Sequence, residues 1–309
     1  MNPETTITLQ DIKNICRENG IKYQSAKRIT DGFTNEVHLI NNEIILKVCT
    51  RPDNIDNFII EVKALENDDT IIKPKFITAD FSKQVIKQPY ILMSYVSGTS
   101  LGSLWHTLDH ENRQSLIEDI AVNLKKFNAI KPGSFFQKEF QWGDDLINRF
   151  EVLSLVLLER NTLNKQQVSD IKTILNRYKT LLNQTPTKVV YWDIHFDNFI
   201  VNNDNKLAAI IDLEAVGQTA IEYPLFVVQK MMDNPKQYLS LGNEQYASVA
   251  DYKDLWNWYE QCYPEMFAVE HLKERVKIYR LLDTLHLLKD WPHTTQLHKD
   301  LSRFITELA

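Results

Sequence analysis

Hydrophobic residues follow two different periods, one before and one after about residue 98. In the N-terminal part, short apolar runs such as EVHLI, EIILKV and PYILMSYV are separated by turn residues, which predicts antiparallel strands. Thr8 is placed to cap a short helix before these strands. A second helix is predicted between strands, because Phe58, Ile59, Val62 and Leu65 recur at helical spacing. This part of the chain is therefore predicted to be a small β-rich lobe.

The sequence after Gly98 is dominated by long helical patterns. The clearest of them predict helices over residues 111–129, 144–159 and 165–182. A single β segment at about 188–214 interrupts the helical patterns. The predicted fold is thus of the α+β class, with an N-terminal lobe of residues 1–95 and a larger, mostly helical C-terminal lobe of residues 96–309.

The composition is that of an ordinary globular protein and excludes several classes of function. With 309 residues, 43% of them hydrophobic, the chain can bury a sizeable core. Its net charge of −6 argues against nucleic acid as the main partner, because phosphate backbones require a basic face. No apolar run approaches the ~20 residues that span a bilayer, and the N-terminus lacks the layout of a secretory signal. Cys16, Cys49 and Cys262 are odd in number and far apart, so we expect no disulfides and a cytosolic location.

The β segment of the C-terminal half carries the candidate chemistry. Two apolar runs, FIV and LAAII, flank the turn sequence at 202–205, which predicts a hairpin. In an antiparallel hairpin Asn198, before the first strand, lies beside Asp212, after the second, within roughly 5 Å. Together with Asp193 just upstream, they form a set of hard oxygen ligands of the kind that Mg²⁺ prefers, with substrate phosphates completing its shell.

Two motifs of this segment carry a resemblance to a known family. The run YWDIHFDN at 191–198, followed by IDLE at 211–214, resembles the catalytic loop and metal-binding segment of the aminoglycoside phosphotransferase and choline kinase-like family, whose fold is protein-kinase-like. The resemblance implies that Asp193 is the catalytic base and that His195 braces the catalytic loop. It implies also that Asn198 and Asp212 bind Mg²⁺. Glu214 matches a family glutamate for which two roles stay open, an outer contact with the metal and substrate positioning.

The resemblance extends over roughly residues 29–223 and includes the N-terminal lobe. It implies that Lys47 binds the α- and β-phosphates of a nucleoside triphosphate and that Glu61 is its carboxylate partner, with Glu43 and Glu66 as alternatives. The other implied nucleotide contacts are in the glycine-containing hairpin over the phosphates and in the backbone of the inter-lobe hinge: Gly32, Phe33, Thr34, Asn35, Ser94 and Val96.

The function that the resemblance implies is that of a small-molecule kinase. Such an enzyme transfers the γ-phosphoryl group of ATP or GTP directly to a hydroxyl, and positioning and charge stabilisation supply most of the catalysis. Choline, thiamine, homoserine and sugar kinases of the same fold are alternatives. A catalytically impaired nucleotide-binding module is another, because Tyr191-Trp192 stand where the family usually has His-Gly. The sequence lacks a Walker-type nucleotide loop and the later elements of a metallophosphatase.

The nature of the acceptor is predicted only from a late aromatic segment. Carboxylates surround Trp256, Trp258, Tyr259 and Tyr263, and aromatic faces beside carboxylates suit a cationic ligand. The hypothesis is a small hydroxylated amine as the substrate. The alternative is that the aromatic residues belong to the core and the acidic residues to a solvated helix face.

Overall fold

The computed structural model describes residues 7–29, 35–51, 54–67, 70–136, 140–239 and 244–309. The chain divides into two compact units that alternate along the sequence. The first unit is made from Met1–Lys126, Asp193–Val216 and Met231–Asp254. The second unit is made from Phe127–Trp192, Gly217–Lys230 and Leu255–Ala309. The lobe boundary that the sequence predicts near residues 94–98 stays a prediction.

The first unit contains a five-stranded antiparallel sheet with the strand order β1-β2-β3-β5-β4. Its strands are β1 (Ala26–Ile29), β2 (Glu36–Ile40), β3 (Ile44–Val48), β4 (Phe76–Asp80) and β5 (Tyr90–Ser94). The β2–β3 hairpin turns at Asn41 and Asn42, which have φ angles of 54° and 60°. Two consecutive residues with positive φ match the right-handed twist of a hairpin, and asparagine tolerates this conformation. The predicted hairpin is confirmed.

Two helices pack around this sheet. Helix α1 (Leu9–Glu18) begins with a capping box in which Thr8 and Asp11 bond each other's backbone N–H. Its buried residues Ile12, Ile15 and Cys16 join the sheet residues in one hydrophobic cluster. Helix α2 (Ile55–Glu66) follows β3 and carries Glu61 on its buried face. Both predicted helices are confirmed.

A second, three-stranded sheet in the first unit holds the candidate chemistry. It consists of β6 (Thr99–Ser100), β8 (Phe199–Val201) and β9 (Leu207–Ile210) in the order β6-β8-β9. The short helix α3 (Leu101–Leu104) follows β6, and the long helix α4 (His110–Ala129) comes next in the chain. The predicted hairpin of β8 and β9 is confirmed.

An aromatic cluster anchors the segment between β7 (Thr187–Tyr191) and β8 within the first unit. The Phe196 ring lies 4.3 Å from the Trp105 ring and 5.6 Å from the Tyr252 ring, which belongs to helix α8 (Val249–Tyr252). Aromatic pairs at such distances contribute beyond their buried area. The loop that contains Asp193 is therefore attached to a rigid core.

The second unit is mostly helical. Its helices include α5 (Trp142–Glu159), α6 (Lys165–Asn183), α7 (Leu225–Asp233), α9 (Leu255–Cys262), α10 (Leu272–Asp290) and α11 (Thr295–Leu308). Strand β7 pairs with β10 (Val216–Ala220). In the part of the chain that the structure describes, no helix is both long and apolar enough to cross a membrane.

Candidate active site

Asp193 is held by the asparagine at the end of its own loop. The Nδ2 atom of Asn198 donates to the backbone oxygen of Asp193 at 2.9 Å and to Asp193 Oδ2 at 3.3 Å. Asn198 is buried, whereas 28% of the Asp193 side chain is exposed. The carboxylate is thus fixed at one end and open to solvent, as a base that must reach a substrate hydroxyl requires.

His195 approaches the same carboxylate oxygen. Its Nε2 atom lies 3.5 Å from Asp193 Oδ2. Burial opposes protonation of His195, but Asp193 and the neighbouring carboxylates outweigh it, so the pKa of His195 is raised. The Nδ1 atom is buried without a hydrogen-bond partner among the described residues. Since Asn198 and His195 both face Oδ2, the Oδ1 atom of Asp193 is the oxygen left for an acceptor.

The β8–β9 hairpin brings Asp212 to this loop. Phe199 pairs with Ile210, and the N–H of Ile211 donates to the backbone oxygen of Asn198 at 2.9 Å. Ile211 is thus opposite Asn198, and Asp212 is the next residue. Asp212 has φ 57° and ψ 54°, a left-handed conformation that costs energy for a residue other than glycine. Strain of this kind is concentrated at functional sites, and 41% of the Asp212 side chain is exposed.

Lys47 joins strand β3 to helix α2 and to the hairpin. Its Nζ atom lies 2.7 Å from Glu61 Oε2 and 2.6 Å from Asp212 Oδ1. Burial opposes the charge of Lys47, but Asp212, Glu61 and Glu214 together raise its pKa well above the usual value. Glu66, by contrast, is exposed. Of the carboxylates that the sequence offered as partners of Lys47, the structure brings Glu61 to it.

Glu214 lies next to this ion-pair network and has partners that the sequence did not reveal. Its Oε2 atom accepts hydrogen bonds from Asn35 Nδ2 at 2.9 Å and from Asn54 Nδ2 at 3.1 Å. The same atom is 3.6 Å from Lys47 Nζ. Asn54 precedes helix α2 and would be taken for a capping residue, but its side chain makes no capping hydrogen bond. The Asn35 side chain is buried and bonds Glu214, and the contact of Asn35 with nucleotide that the resemblance implies stays a prediction.

The remaining candidates for nucleotide binding are the glycine-containing hairpin and the backbone of the predicted hinge. Gly32, Phe33 and Thr34 lie outside the described residues. The N–H of Ser94 donates to the Lys75 oxygen, and the N–H of Lys75 donates to the Ser94 hydroxyl, both at 2.9 Å. The backbone N–H of Ser94 is therefore already used within the sheet and is not available to a nucleobase. No hydrogen bond engages the backbone of Val96 within the described ranges, so its N–H and C=O are both available.

The side chains at the hairpin fit Mg²⁺. Because the Nδ2 group of Asn198 donates hydrogen bonds to Asp193, its Oδ1 atom is the one left for a cation. The backbone bond from Ile211 to Asn198 brings Asp212 to the same end of the hairpin. An amide and a carboxylate oxygen are hard ligands that suit this metal. Among the described residues, one further group has metal-ligand spacing: Glu61, Asp212 and Glu214, with ligand atoms within 4.8 Å of one another. The ammonium of Lys47 lies within 3.6 Å of all three carboxylates and offsets one of their negative charges.

The two residues that depart from the family motif are packed within the second unit. Tyr191 is fully buried, and its ring stacks on that of Phe127 at 5.8 Å. The indole of Trp192 packs near Tyr223 and Phe226, with ring centroids 6.1 and 6.4 Å away. A side chain at Gly217 would place its Cβ atom 3.4 Å from Trp192 Cδ1. The larger residues are therefore accommodated by their own aromatic neighbours.

The aromatic segment proposed for acceptor binding is part of the core. Trp258, Tyr259 and Tyr263 are at most 5% exposed, and Trp256 packs edge-on against Phe267. The buried side chains of Trp258, Tyr259 and Tyr263 have no face free for a ligand, so the prediction that they contact a cationic acceptor is wrong. For Trp256, which is partly exposed, the contact stays a prediction.

Two acidic residues of the region proposed for acceptor binding form ion pairs. Asp251 pairs with Arg113 at 2.9 Å, and Asp283 pairs with Lys230. A carboxylate in an ion pair has part of its charge neutralised and is less available to a cationic ligand. The structure gives no support to an acceptor site built from these residues.

In a comparison with known protein families, the chain matches the model of one enzyme family. A family model described as a phosphotransferase enzyme family matches residues 25–266. A comparison with curated protein sequences gives no match.

Solved structures of aminoglycoside phosphotransferases share the fold of this chain. APH(2'')-Ib with ADP bound is 16% identical, with a TM-score of 0.67 over 97% of this chain and 97% of that chain. The complex of APH(2'')-IIa with gentamicin is also 16% identical, with a TM-score of 0.69 over 98% of this chain and 96% of that one. A thermostable mutant of APH(4)-Ia with ADP and hygromycin B is 14% identical, with a TM-score of 0.61 over 96% and 95%. The predicted fold class is confirmed.

Proposed function

The chain belongs to the phosphotransferase enzyme family, and we propose that it transfers the γ-phosphoryl group of ATP or GTP to a hydroxyl of a small molecule. The observation that carries this proposal is the convergence of four groups on one region of the first unit. Lys47 is bonded to both Glu61 and Asp212. Asn198, which ends the loop that contains Asp193, accepts a backbone hydrogen bond from Ile211, the residue before Asp212. A phosphate-binding lysine, a metal-binding acid and a base are the parts that phosphoryl transfer needs.

The residues have distinct roles in the proposed reaction. Lys47, oriented by Glu61, binds the triphosphate. The open backbone N–H and C=O groups of the hinge residue Val96 bind the nucleobase of ATP or GTP. Oδ1 of Asp193 orients the acceptor hydroxyl and takes its proton as the new oxygen–phosphorus bond forms. The bond between the γ-phosphorus and the β–γ bridging oxygen breaks in the same step, and ADP or GDP leaves. Bound at Asn198 and Asp212, Mg²⁺ would neutralise charge on the phosphate oxygens. Catalysis then comes mainly from positioning and charge stabilisation.

The left-handed conformation of Asp212 supports its role in this scheme. A strained backbone persists only where surrounding structure holds it, and here the hairpin and Lys47 do so. The resulting carboxylate points one oxygen at Lys47 and keeps 41% of its surface exposed. It can therefore serve a metal–phosphate complex without unfolding the hairpin.

A direct assay tests the proposal. Purified protein would be incubated with Mg·ATP or Mg·GTP and a panel of hydroxylated compounds, and phosphorylated products would be identified by mass spectrometry. Since two of the structures that share this fold are complexes with gentamicin and with hygromycin B, aminoglycosides come first in the panel. Choline, thiamine, homoserine and sugars follow.

The competing function is a nucleotide-binding module without catalysis, suggested by Tyr191 and Trp192. It predicts tight nucleotide binding with no transfer to any acceptor and no basal hydrolysis. The open Oδ1 atom of Asp193 favours the enzyme, because a module without catalysis has no need of an exposed, oriented carboxylate. Nucleotide hydrolysis that disappears in Asp193→Asn would support the kinase even before an acceptor is found.

A further inference from the structure

We propose that Glu214 is a positioning residue that holds the triphosphate-binding groups together through Asn35 and Asn54. This inference rests on the proposed function and assigns a role to a carboxylate that the reaction scheme leaves unused. The amide–carboxylate clamp is defined here as Asn35, Asn54 and Glu214.

The clamp joins three segments that are distant in sequence. Asn35 precedes strand β2, Asn54 precedes helix α2, and Glu214 follows strand β9. Both amide groups donate to a single oxygen, Glu214 Oε2, at 2.9 and 3.1 Å. Hydrogen bonds to an ionised acceptor are about twice as strong as neutral ones.

The burial of Asn35 shows that this arrangement has an energetic cost. Asn35 is only 7% exposed, and its Oδ1 atom has no hydrogen-bond partner among the described residues. A buried polar atom without a partner costs roughly 1–3 kcal/mol. The hydrogen bond from Asn35 Nδ2 to Glu214 offsets this cost. A costly polar contact beside a reaction centre points to a role in function.

Each segment that the clamp holds carries a group for the nucleotide. Strand β2 pairs with β3 so that Val37 lies opposite Lys47. Helix α2 carries Glu61, which bonds Lys47. Glu214 itself is two residues beyond Asp212. Releasing the clamp would let β2 and α2 move relative to Asp212, and Lys47 would lose its fixed position between two carboxylates.

The contacts also argue against direct metal binding as the main role of Glu214. Its Oε2 atom already accepts two amide hydrogen bonds and lies 3.6 Å from the Lys47 ammonium. A metal at that oxygen would have to replace both amides. A neutral glutamine could keep the two hydrogen bonds through its own oxygen, whereas it would be a poor replacement for a metal-binding carboxylate.

The test compares four variants of the full-length protein, Glu214→Gln, Glu214→Ala, Asn35→Ala and Asn54→Ala, with Glu66→Ala as an exposed control on helix α2. Calorimetry measures the Kd for Mg·ATP and Mg·GTP, and thermal unfolding verifies that each variant folds.

We expect Glu214→Ala to raise the Kd about tenfold or more, and each asparagine variant to raise it by a factor of about 3–10. Glu214→Gln should stay within about threefold of wild type, because the hydrogen bonds survive. The double variant Asn35→Ala/Glu214→Ala should bind no more weakly than Glu214→Ala, since both changes remove one interaction.

Two results would overturn the clamp. In one, Glu214→Gln is as weak as Glu214→Ala while both asparagine variants match wild type, which would mean that the charge acts on a metal. In the other, the four variants lose thermal stability but keep the wild-type Kd, which would make the contacts merely structural. Failure of the proposed function is distinguishable from both, because it is measured on the wild-type protein alone, which would then bind neither nucleotide or bind nucleotide without transferring or hydrolysing its γ-phosphate.

Discussion

Nε2 of His195 lies 3.5 Å from Oδ2 of Asp193, the oxygen to which Asn198 also donates. Two groups from the same loop therefore act on one carboxylate oxygen and leave the other open. In the proposed reaction this arrangement would separate the two tasks of the carboxylate, because Oδ2 is held by the loop while Oδ1 is left to contact the acceptor. His195 is in this view a positioning residue for the base.

Replacing His195 should lower turnover without affecting nucleotide binding. His195→Ala removes one of the two contacts with Oδ2, and misplacement of a reacting group is costly, so we expect kcat to fall by about tenfold or more. The amide of His195→Gln can still donate to Oδ2 and should restore part of the loss. Steady-state kinetics with the acceptor from the panel measures both. A fall in nucleotide affinity with unchanged kcat would contradict this role.

Asp193→Asn should abolish most of the turnover while nucleotide binding stays nearly intact. The substitution preserves the size of the side chain but removes the base, which typically costs a factor of about 10² or more in kcat. Calorimetric titration with Mg·ATP gives the binding control. Asp204→Asn, in the turn of the β8–β9 hairpin, is the matched variant that removes a carboxylate elsewhere. Near wild-type turnover in Asp193→Asn would rule out Asp193 as the base.

Asp212→Asn should weaken the dependence of nucleotide binding on Mg²⁺. Asparagine tolerates the left-handed conformation found at this position, so the variant removes the charge with little added strain. The measured quantity is the factor by which Mg²⁺ lowers the Kd for nucleotide. We expect this factor to be at least about tenfold smaller in Asp212→Asn than in wild type, because one hard anionic ligand is lost. Asn198→Ala should act in the same direction. Titrations with Mg²⁺ and with EDTA measure this difference, and equal affinities in wild type and Asp212→Asn would remove the proposed metal site.

The sequence predicted those parts of the site that depend on local pattern. The β8–β9 hairpin followed from two apolar runs around four turn residues, and its register brings Asn198 next to Ile211 rather than Asp212. Helical spacing predicted helix α2, and the family resemblance pointed to Glu61 on it, which the structure buries beside Lys47. Short-range rules suffice where the contact is fixed by one hairpin or one helix face.

Contacts between distant segments could not be predicted in this way. Asn35 and Asn54 bond Glu214 across sequence separations of 179 and 160 residues, and nothing local to either asparagine signals it. The prediction that aromatic residues near Trp258 contact the acceptor was wrong for a related reason. Composition alone does not distinguish a ligand-binding aromatic surface from the buried face of a helix.

Thermal stability should fall as pH rises through the range in which Glu61 ionises. Burial raises the pKa of Glu61 to about 7, and Asp212 and Glu214 add to this effect against the opposing charge of Lys47. A carboxyl group with a raised pKa binds its proton more tightly in the folded state, so its ionisation destabilises the fold between about pH 4.5 and 7. In Glu61→Gln, the unfolding midpoint should depend less on pH over this range. The exposed control Glu66→Gln should follow wild type, and parallel curves for all three proteins would contradict the prediction.

The last prediction concerns a buried ion pair in the second unit. Glu222 and Arg275 are at most 1% exposed, and Arg275 Nη1 lies 2.8 Å from Glu222 Oε1, to which the Tyr279 hydroxyl also donates. Removing one partner of a buried pair leaves an uncompensated charge and typically costs about 3–5 kcal/mol, whereas replacing both with apolar residues is often nearly neutral. Arg275→Met should therefore lower the free energy of unfolding strongly, and Arg275→Met/Glu222→Leu should recover much of the loss. Tyr279→Phe removes only one hydrogen bond and should cost about 1–3 kcal/mol. Urea denaturation of the full chain measures all three, and a double variant less stable than Arg275→Met would show that the pair contributes more than mutual neutralisation.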